Sequence, residues 1–246
     1  VVYSISIHVN GDISKTDDTT VGATLHTILD LAADESTGQI VLDQASVSWS
    51  SGNILGRSLV LRNAASQSVA QCVVGVQNSQ NNSSATSNEN ISYDFAVCEV
   101  LGESSKSIFG RVSFERVQNN VTVRARVCGL SDGYHGFHIH EFGDLRGAID
   151  MVGSHFNPSK AKHSLTNDPS RHVGDLGNIQ SSNGLASYEQ TLDLVALSGS
   201  NSIIGRGLVI HSGKDQGSEF QPAGESGTKL TRCVIGSRDT LPALND

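Results

Sequence analysis

The sequence predicts an all-β protein, a sandwich or barrel of short strands. Three observations carry the prediction. Valine-rich segments alternate apolar and polar residues, turns are written in glycine, serine and asparagine, and helical periodicity is absent over any useful length. Glycine occurs 25 times in 246 residues, against four prolines and one methionine. A chain of this length has a soft prior of one or two domains and can bury a real core.

In chain order, either Val2 to Val9 serves as a first strand in a reduced domain or the chain is cut from a longer repeat protein, and apolar segments follow at 51–64 and 69–76. Residues 77–90, QNSQNNSSATSNEN, contain no apolar residue except Ala85, so they read as a polar linker. Beyond it, Tyr93 to Leu101 alternates, with Ala96, Cys98 and Val100 on one face and Phe95, Val97 and Glu99 on the other. Val121, Val123, Ala125 and Val127 are expected to face a core while Thr122, Arg124, Arg126 and Cys128 face water. Residues 129–133, GLSDG, are a turn, and Ile203 to His211 and Leu230 to Ile235 are further strands. Residues 239–246 are left as a tail.

The chain also repeats itself. SGNILGRSLVLRNA at 51–64 parallels SNSIIGRGLVIHSG at 200–213, and VAQCVVGV at 69–76 parallels LTRCVIGS at 230–237. ISIHVNGD at 5–12 parallels FHIHEFGD at 137–144. Order and approximate spacing are kept across the matches. Residues 1–76 are therefore expected to be the later part of a degenerate second copy of the domain at 91–238.

A net charge of -8 argues against wholesale nucleic-acid binding. No apolar run approaches the roughly 18–20 residues that a membrane span needs, and no signal peptide is visible at the start. Four N-x-[ST] sequons begin at Asn81, Asn82, Asn90 and Asn120, three of them within or beside the polar stretch. With four cysteines, Cys72, Cys98, Cys128 and Cys233, they favour an extracellular glycoprotein.

Nine histidines occur, and seven fall between His135 and His211. His138 and His140, two apart in a strand, project from the same face. His155, His163 and His172 follow in a loop, Asp175 comes three residues after the last, and His211 closes a later apolar strand. Imidazole-rich sites suit copper and zinc, and three histidines with an aspartate suit zinc. Two sites sharing one ligand would explain why seven residues serve both.

The segments GFHIHEFGDL, GSHFNPSKAKH, RHVGDLGN and IIGRGLVIH resemble the signature segments of the copper/zinc superoxide dismutases, over roughly Ile91 to Arg238. The resemblance implies an eight-stranded Greek-key β-barrel. It implies copper on His138, His140, His155 and His211, and zinc on His155, His163, His172 and Asp175, with His155 bridging. It also implies that Asp215 links a copper histidine to a zinc histidine and that His135 is a framework residue. The implied chemistry converts superoxide to oxygen and hydrogen peroxide by alternating reduction and oxidation of copper. His155 would take and return a proton, and Lys229 would stand where the family uses an arginine to guide the anion. Lysine keeps the charge but loses the planar fork.

The chain also departs from the family. The family disulfide positions hold Ile149 and Arg232, so that bridge is absent, and the loop from His211 to Lys229 is shorter than usual. Cys98 and Cys233 fall on core-facing positions of the first and last strands, which the resemblance implies are neighbours, and this leaves a cross-strand bridge or two buried thiols open. A Cys72–Cys128 pair would resolve an exposed thiol. In the N-terminal copy Ser6, Thr24 and Arg62 stand where His138, His155 and His211 would be, and only His8 survives, so that copy is expected to be catalytically dead. It would dock as an internal pseudo-subunit on the patch that the resemblance implies for pairing, Val97, Phe142, Gly143, Ile204, Gly205 and Val234, using Leu55, Gly56 and Val73. The leading expectation is an extracellular superoxide dismutase. The alternatives are a copper-binding or copper-buffering repeat module and a structural repeat protein.

Overall fold

The computed structural model describes residues 3–8, 11, 24–31, 55–63, 65–76, 92–100 and 108–239. The expected linker with its three sequons, the tail from 240, and the side chains of Ser6 and Thr24 lie outside the described residues.

Strands β1 (Tyr3–His8), β2 (Thr24–Leu31), β3 (Ser58–Arg62) and β4 (Ser68–Val73) form one sheet in the order β2-β1-β3-β4. The second sheet begins with β5 (Phe95–Val100), β6 (Phe109–Val117), β7 (Asn120–Cys128) and β8 (Gly133–His140). It continues with β9 (Asp175–Ser182), β10 (Leu185–Leu192), β11 (Gly207–His211), β12 (Lys229–Val234) and β13 (Gly236–Arg238). Their order is β12-β11-β8-β9-β10-β7-β6-β5-β13, with antiparallel neighbours. The last two strands are one run interrupted only at Ile235, whose amide still donates to Arg206 O at 2.9 Å, in register with the β11–β12 pairing. Because β12 pairs with β11 and β13 with β5, this run meets both edges and closes eight runs of chain into a barrel.

Alternation fills that barrel. Val121, Val123, Ala125 and Val127 on β7 are buried in the core with Phe137 and Ile139 from β8. Each such aliphatic side chain contributes roughly 1.5–3 kcal/mol on burial. Thr122 departs from the expected pattern. It is buried, because its Oγ1 lies 2.9 Å from Thr191 Oγ1 across the β7–β10 pair. Arg124 is half-buried between Glu115 and Glu189, at 2.7 and 2.9 Å. The expected strand from Ile203 shortens to Gly207–His211, since residues 204–205 turn.

Cys98 and Cys233 are bonded, with Cα atoms 5.7 Å apart, which ties β5 to β12 across the barrel closure. In the chain-entropy model a loop of this size constrains the unfolded chain by about 4–5 kcal/mol. Cys72 and Cys128 are both free, contrary to the pairing expected for them. They lie on different sheets, and Cys128 sits at the end of β7 beside Phe109 and Leu185.

The two sheets share a register. Leu59 faces Ile7 across β3–β1 as Leu208 faces Ile139 across β11–β8. Cys72 faces Leu59 as Cys233 faces Leu208, and both pairings shift at their far ends, between Leu61 and Arg62 and between Ile210 and His211. Contacts between the sheets are reciprocal in the same alignment. Val76 N donates to Gly205 O at 2.7 Å, and Ser237 N donates to Gly56 O at 2.8 Å. Gly75 packs on the Gly143 backbone, where an added Cβ would lie 2.2 Å from the carbonyl oxygen, and Gly236 packs on Gly11 with the corresponding gap at 2.3 Å. Such exchange of partners is the mark of an isologous, two-fold-like contact.

Candidate metal centre

Barrel alternation sets the site. Phe137 and Ile139 point into the core, so His138 and His140 project from the opposite face of β8. His211 ends β11, which pairs directly with β8. His155 is bridged to His140 at the start of the long loop that carries His163 and His172, and Asp175 opens β9 opposite His138. All seven side chains are buried.

Two donor groups result, His138, His140, His155 and His211 in one, and His155, His163, His172 and Asp175 in the other. Within each group the donor atoms lie within 4.8 Å of one another. In the first, His138 Nδ1, His140 Nε2, His155 Nε2 and His211 Nε2 are buried without a hydrogen-bond partner. A buried polar atom left unpaired costs about 1–3 kcal/mol, so four in one cluster fit a metal ion that takes their lone pairs. The opposite nitrogens are tethered. His138 Nε2 lies 2.7 Å from Asp215 Oδ2, His140 Nδ1 donates to Gly153 O at 2.8 Å, and His211 Nδ1 to Gly227 O at 3.3 Å.

In the second group three ring nitrogens surround one oxygen. Asp175 Oδ1 lies 2.8 Å from His155 Nδ1, 3.0 Å from His163 Nδ1 and 3.2 Å from His172 Nδ1. Its other oxygen accepts from the amides of Ser164 and His172, both at 3.1 Å. Three nitrogens and a carboxylate fit zinc. His155 thus offers one nitrogen to each group.

Asp215 spans the two groups, taking His138 Nε2 on Oδ2 and His163 Nε2 on Oδ1 at 2.9 Å. Asn178 holds the aspartate in place by accepting from its amide at 2.7 Å and donating to its carbonyl at 3.0 Å. Gly224, at φ +71°, passes so close that a Cβ would lie 2.1 Å from Asp215 Oδ1. Burial lowers the His138 pKa to about 3 and that of His211 to about 4, and it holds His140 and His155 below the usual value. These rings are therefore neutral donors at neutral pH. Burial opposes charge on His163 too, but Asp175 and Asp215 outweigh it and raise that ring to about 9. Burial also opposes the charged form of both aspartates, yet their histidine bonds hold them well below the carboxylate range. A metal at His163 would displace a proton.

His135 is buried between His211 O and Ser131 O, at 2.8 and 2.9 Å. Lys229 faces His211 across the β11–β12 pair, and its Nζ lies 2.5 Å from Asp150 Oδ1. Sequence reasoning misses two residues here. Asp150 carries no local signal. Arg232 does carry one, as a charge in an apolar strand: its guanidinium donates to Ala148 O and Gly147 O at 2.7 Å, to Leu145 O at 3.1 Å and to Asp144 O at 3.2 Å. It fixes the loop ahead of the 3-10 turn at Ile149–Val152 that bears Asp150. In the N-terminal sheet, Arg62 Nη2 lies 3.4 Å from His8 Nε2.

A closed antiparallel β-barrel with two buried donor groups sharing one imidazole defines a metalloenzyme of the paired copper and zinc class. The family model for copper/zinc superoxide dismutase (SODC) matches residues 108–235. The chain is 42% identical over 147 residues to superoxide dismutase [Cu-Zn] A of Xenopus laevis, covering 57% of this chain and 96% of that one. It is 38% identical over 148 residues to superoxide dismutase [Cu-Zn] 5 of Dictyostelium discoideum, covering 57% and 95%. It is also 38% identical over 139 residues to the extracellular superoxide dismutase [Cu-Zn] of Brugia pahangi, covering 56% and 70%. The crystal structure of the clock protein EA4 superposes with a TM-score of 0.56 at 36% identity, covering 60% of this chain and 96% of that one. The chain belongs to the copper/zinc superoxide dismutase family. It is a superoxide dismutase whose cofactors are copper and zinc.

Proposed function

We propose that the chain is an extracellular superoxide dismutase that holds copper on His138, His140, His155 and His211, and zinc on His155, His163, His172 and Asp175. The observation that carries this division is at His155. Its Nε2 lies unpartnered and buried, as do His138 Nδ1, His140 Nε2 and His211 Nε2, while its Nδ1 lies 2.8 Å from Asp175 Oδ1. Bound copper supplies the one-electron redox change that turns one superoxide into oxygen and, with two protons, the next into hydrogen peroxide. His155 holds a proton at Nε2 in one half of the cycle and gives it up in the other, kept in place by Asp175. Asp215 fixes the tautomer of His138, and Lys229 draws the anion towards His211.

Residues 1–76 serve in this reading as a degenerate copy without a metal site, joined by the 77–90 linker. It covers the Gly143, Gly205 and Val234 face as a built-in second subunit. The matched strand registers and the exchanged Val76–Gly205 and Ser237–Gly56 bonds support that role. Four sequons, the Cys98–Cys233 bond and the extracellular relative support secretion.

Metal content and superoxide consumption, measured on the wild type and on His211→Ala, test the reading. One copper and one zinc per chain are expected, with the variant losing copper and activity but keeping most zinc. Equal loss of both metals would overturn the division. A copper-buffering module is the second reading, favoured by the pairing of Lys229 with Asp150. Full copper loading with negligible turnover per copper would select it.

A further inference from the structure

Residues 144–152 approach the metal centre from the side of β12, and that strand holds them at two points. Arg232 donates to the carbonyls of residues 144, 145, 147 and 148. The turn that follows is closed by Met151 N to Ala148 O and Gly153 N to Asp150 O, both at 3.0 Å. Three residues before Arg232, Lys229 reaches Asp150 Oδ1 at 2.5 Å. The Asp150 side chain is 81% exposed and that of Lys229 only 18% exposed, so the acid sits on the solvent side of the amine. An anion coming from solvent towards His211 and Lys229 meets that carboxylate first.

We propose that Asp150 restrains the enzyme by competing with superoxide for the Lys229 ammonium. The inference rests on Lys229 guiding the anion, as set out above. A carboxylate and superoxide are both small oxygen monoanions, so they compete for the same donor. Paired with Asp150, Lys229 presents a dipole rather than a net charge, and its pull fades faster with distance. In a chain of net charge -8, a local cation beside the metal site adds to the attraction for an anion, so neutralising it slows capture. A pair open to solvent on its Asp150 side is weak and exchanges readily, which makes Asp150 a brake and not a block.

Four full-length proteins loaded with copper and zinc test this: wild type, Asp150→Asn, Lys229→Ala and the double variant. The superoxide rate is followed against ionic strength, and acylation of Lys229 by an N-hydroxysuccinimide ester is followed by peptide mass spectrometry in metal-free and loaded protein. Asp150→Asn is expected to raise the rate at low salt about two- to fivefold, the range that such an ion pair supports, and to steepen its fall with salt. Lys229 acylation should rise with it, and the gain should vanish in the Lys229→Ala background. If Lys229→Ala slows the enzyme while Asp150→Asn changes neither rate nor acylation, the brake is overturned and the guiding lysine stands. More acylation without a faster rate also overturns it. If Lys229→Ala leaves rate and salt slope unchanged, the guiding role falls, and the brake with it. An equal gain from Asp150→Asn without Lys229 would mean that Asp150 merely repels the anion.

Discussion

His138 Nε2 and Asp215 Oδ2 lie 2.7 Å apart with both side chains fully buried. Through its other oxygen the same carboxylate holds His163, so one group orients a histidine from each donor set. Asp215→Asn is therefore expected to weaken both metals, by about 10- to 100-fold, in competition with a chelator. Loss confined to one metal would show that Asp215 serves only one site.

Gly75 allows a close approach of the N-terminal sheet to the barrel. Gly75→Val would drive a side chain into the Gly143 carbonyl, 2.2 Å from a Cβ. Light scattering is expected to find the wild type monomeric and the variant self-associating through the uncovered Gly205 and Ser237 face. A monomeric variant of unchanged stability would argue against a built-in second subunit.

Arg232 is buried and serves four carbonyls of one loop. Arg232→Ala should cost about 2–4 kcal/mol in urea unfolding, because the carbonyls lose their donors together. The milder change Arg232→Lys should recover only part of that, since an ammonium cannot spread over the same fork.

The metal-free protein should be most stable between about pH 6 and 7. His163 binds its proton more tightly folded than unfolded, so its contribution is full below about 6.5 and is lost as pH rises through about 9. His138 and His211, lowered to about 3 and about 4, refuse protons that the unfolded chain accepts, so stability falls as pH drops below about 6.5. Asp175 and Asp215 add to the acid loss, because their depressed values mean that protonation breaks their histidine bonds. Urea midpoints across this range check the shape.

The alternating strands and the shared face of the first two histidines were legible because they follow from period and spacing. The closed barrel and the division of ligands were implied only by the family resemblance. A two-residue step puts His138 and His140 on one face, and the alternation of β7 buries Val121 to Val127. The rest depends on distance between segments far apart in sequence. No local pattern tells that Thr122 meets Thr191 or that Lys229 meets Asp150. The choice between a bridge and two thiols at Cys98 and Cys233 needed the 5.7 Å Cα separation, which only the closed barrel provides. The switch at Ile235 from pairing with β11 to pairing with β5 is another long-range choice.

Anomalous diffraction at the copper and zinc edges, on crystals of the metal-loaded full chain, tests the shared role of His155 most directly. The account predicts a copper peak among His138, His140, His155 and His211, a zinc peak among His155, His163, His172 and Asp175, and the His155 ring between them. Peaks that do not share His155, or a metal at His8 in the N-terminal sheet, would contradict it.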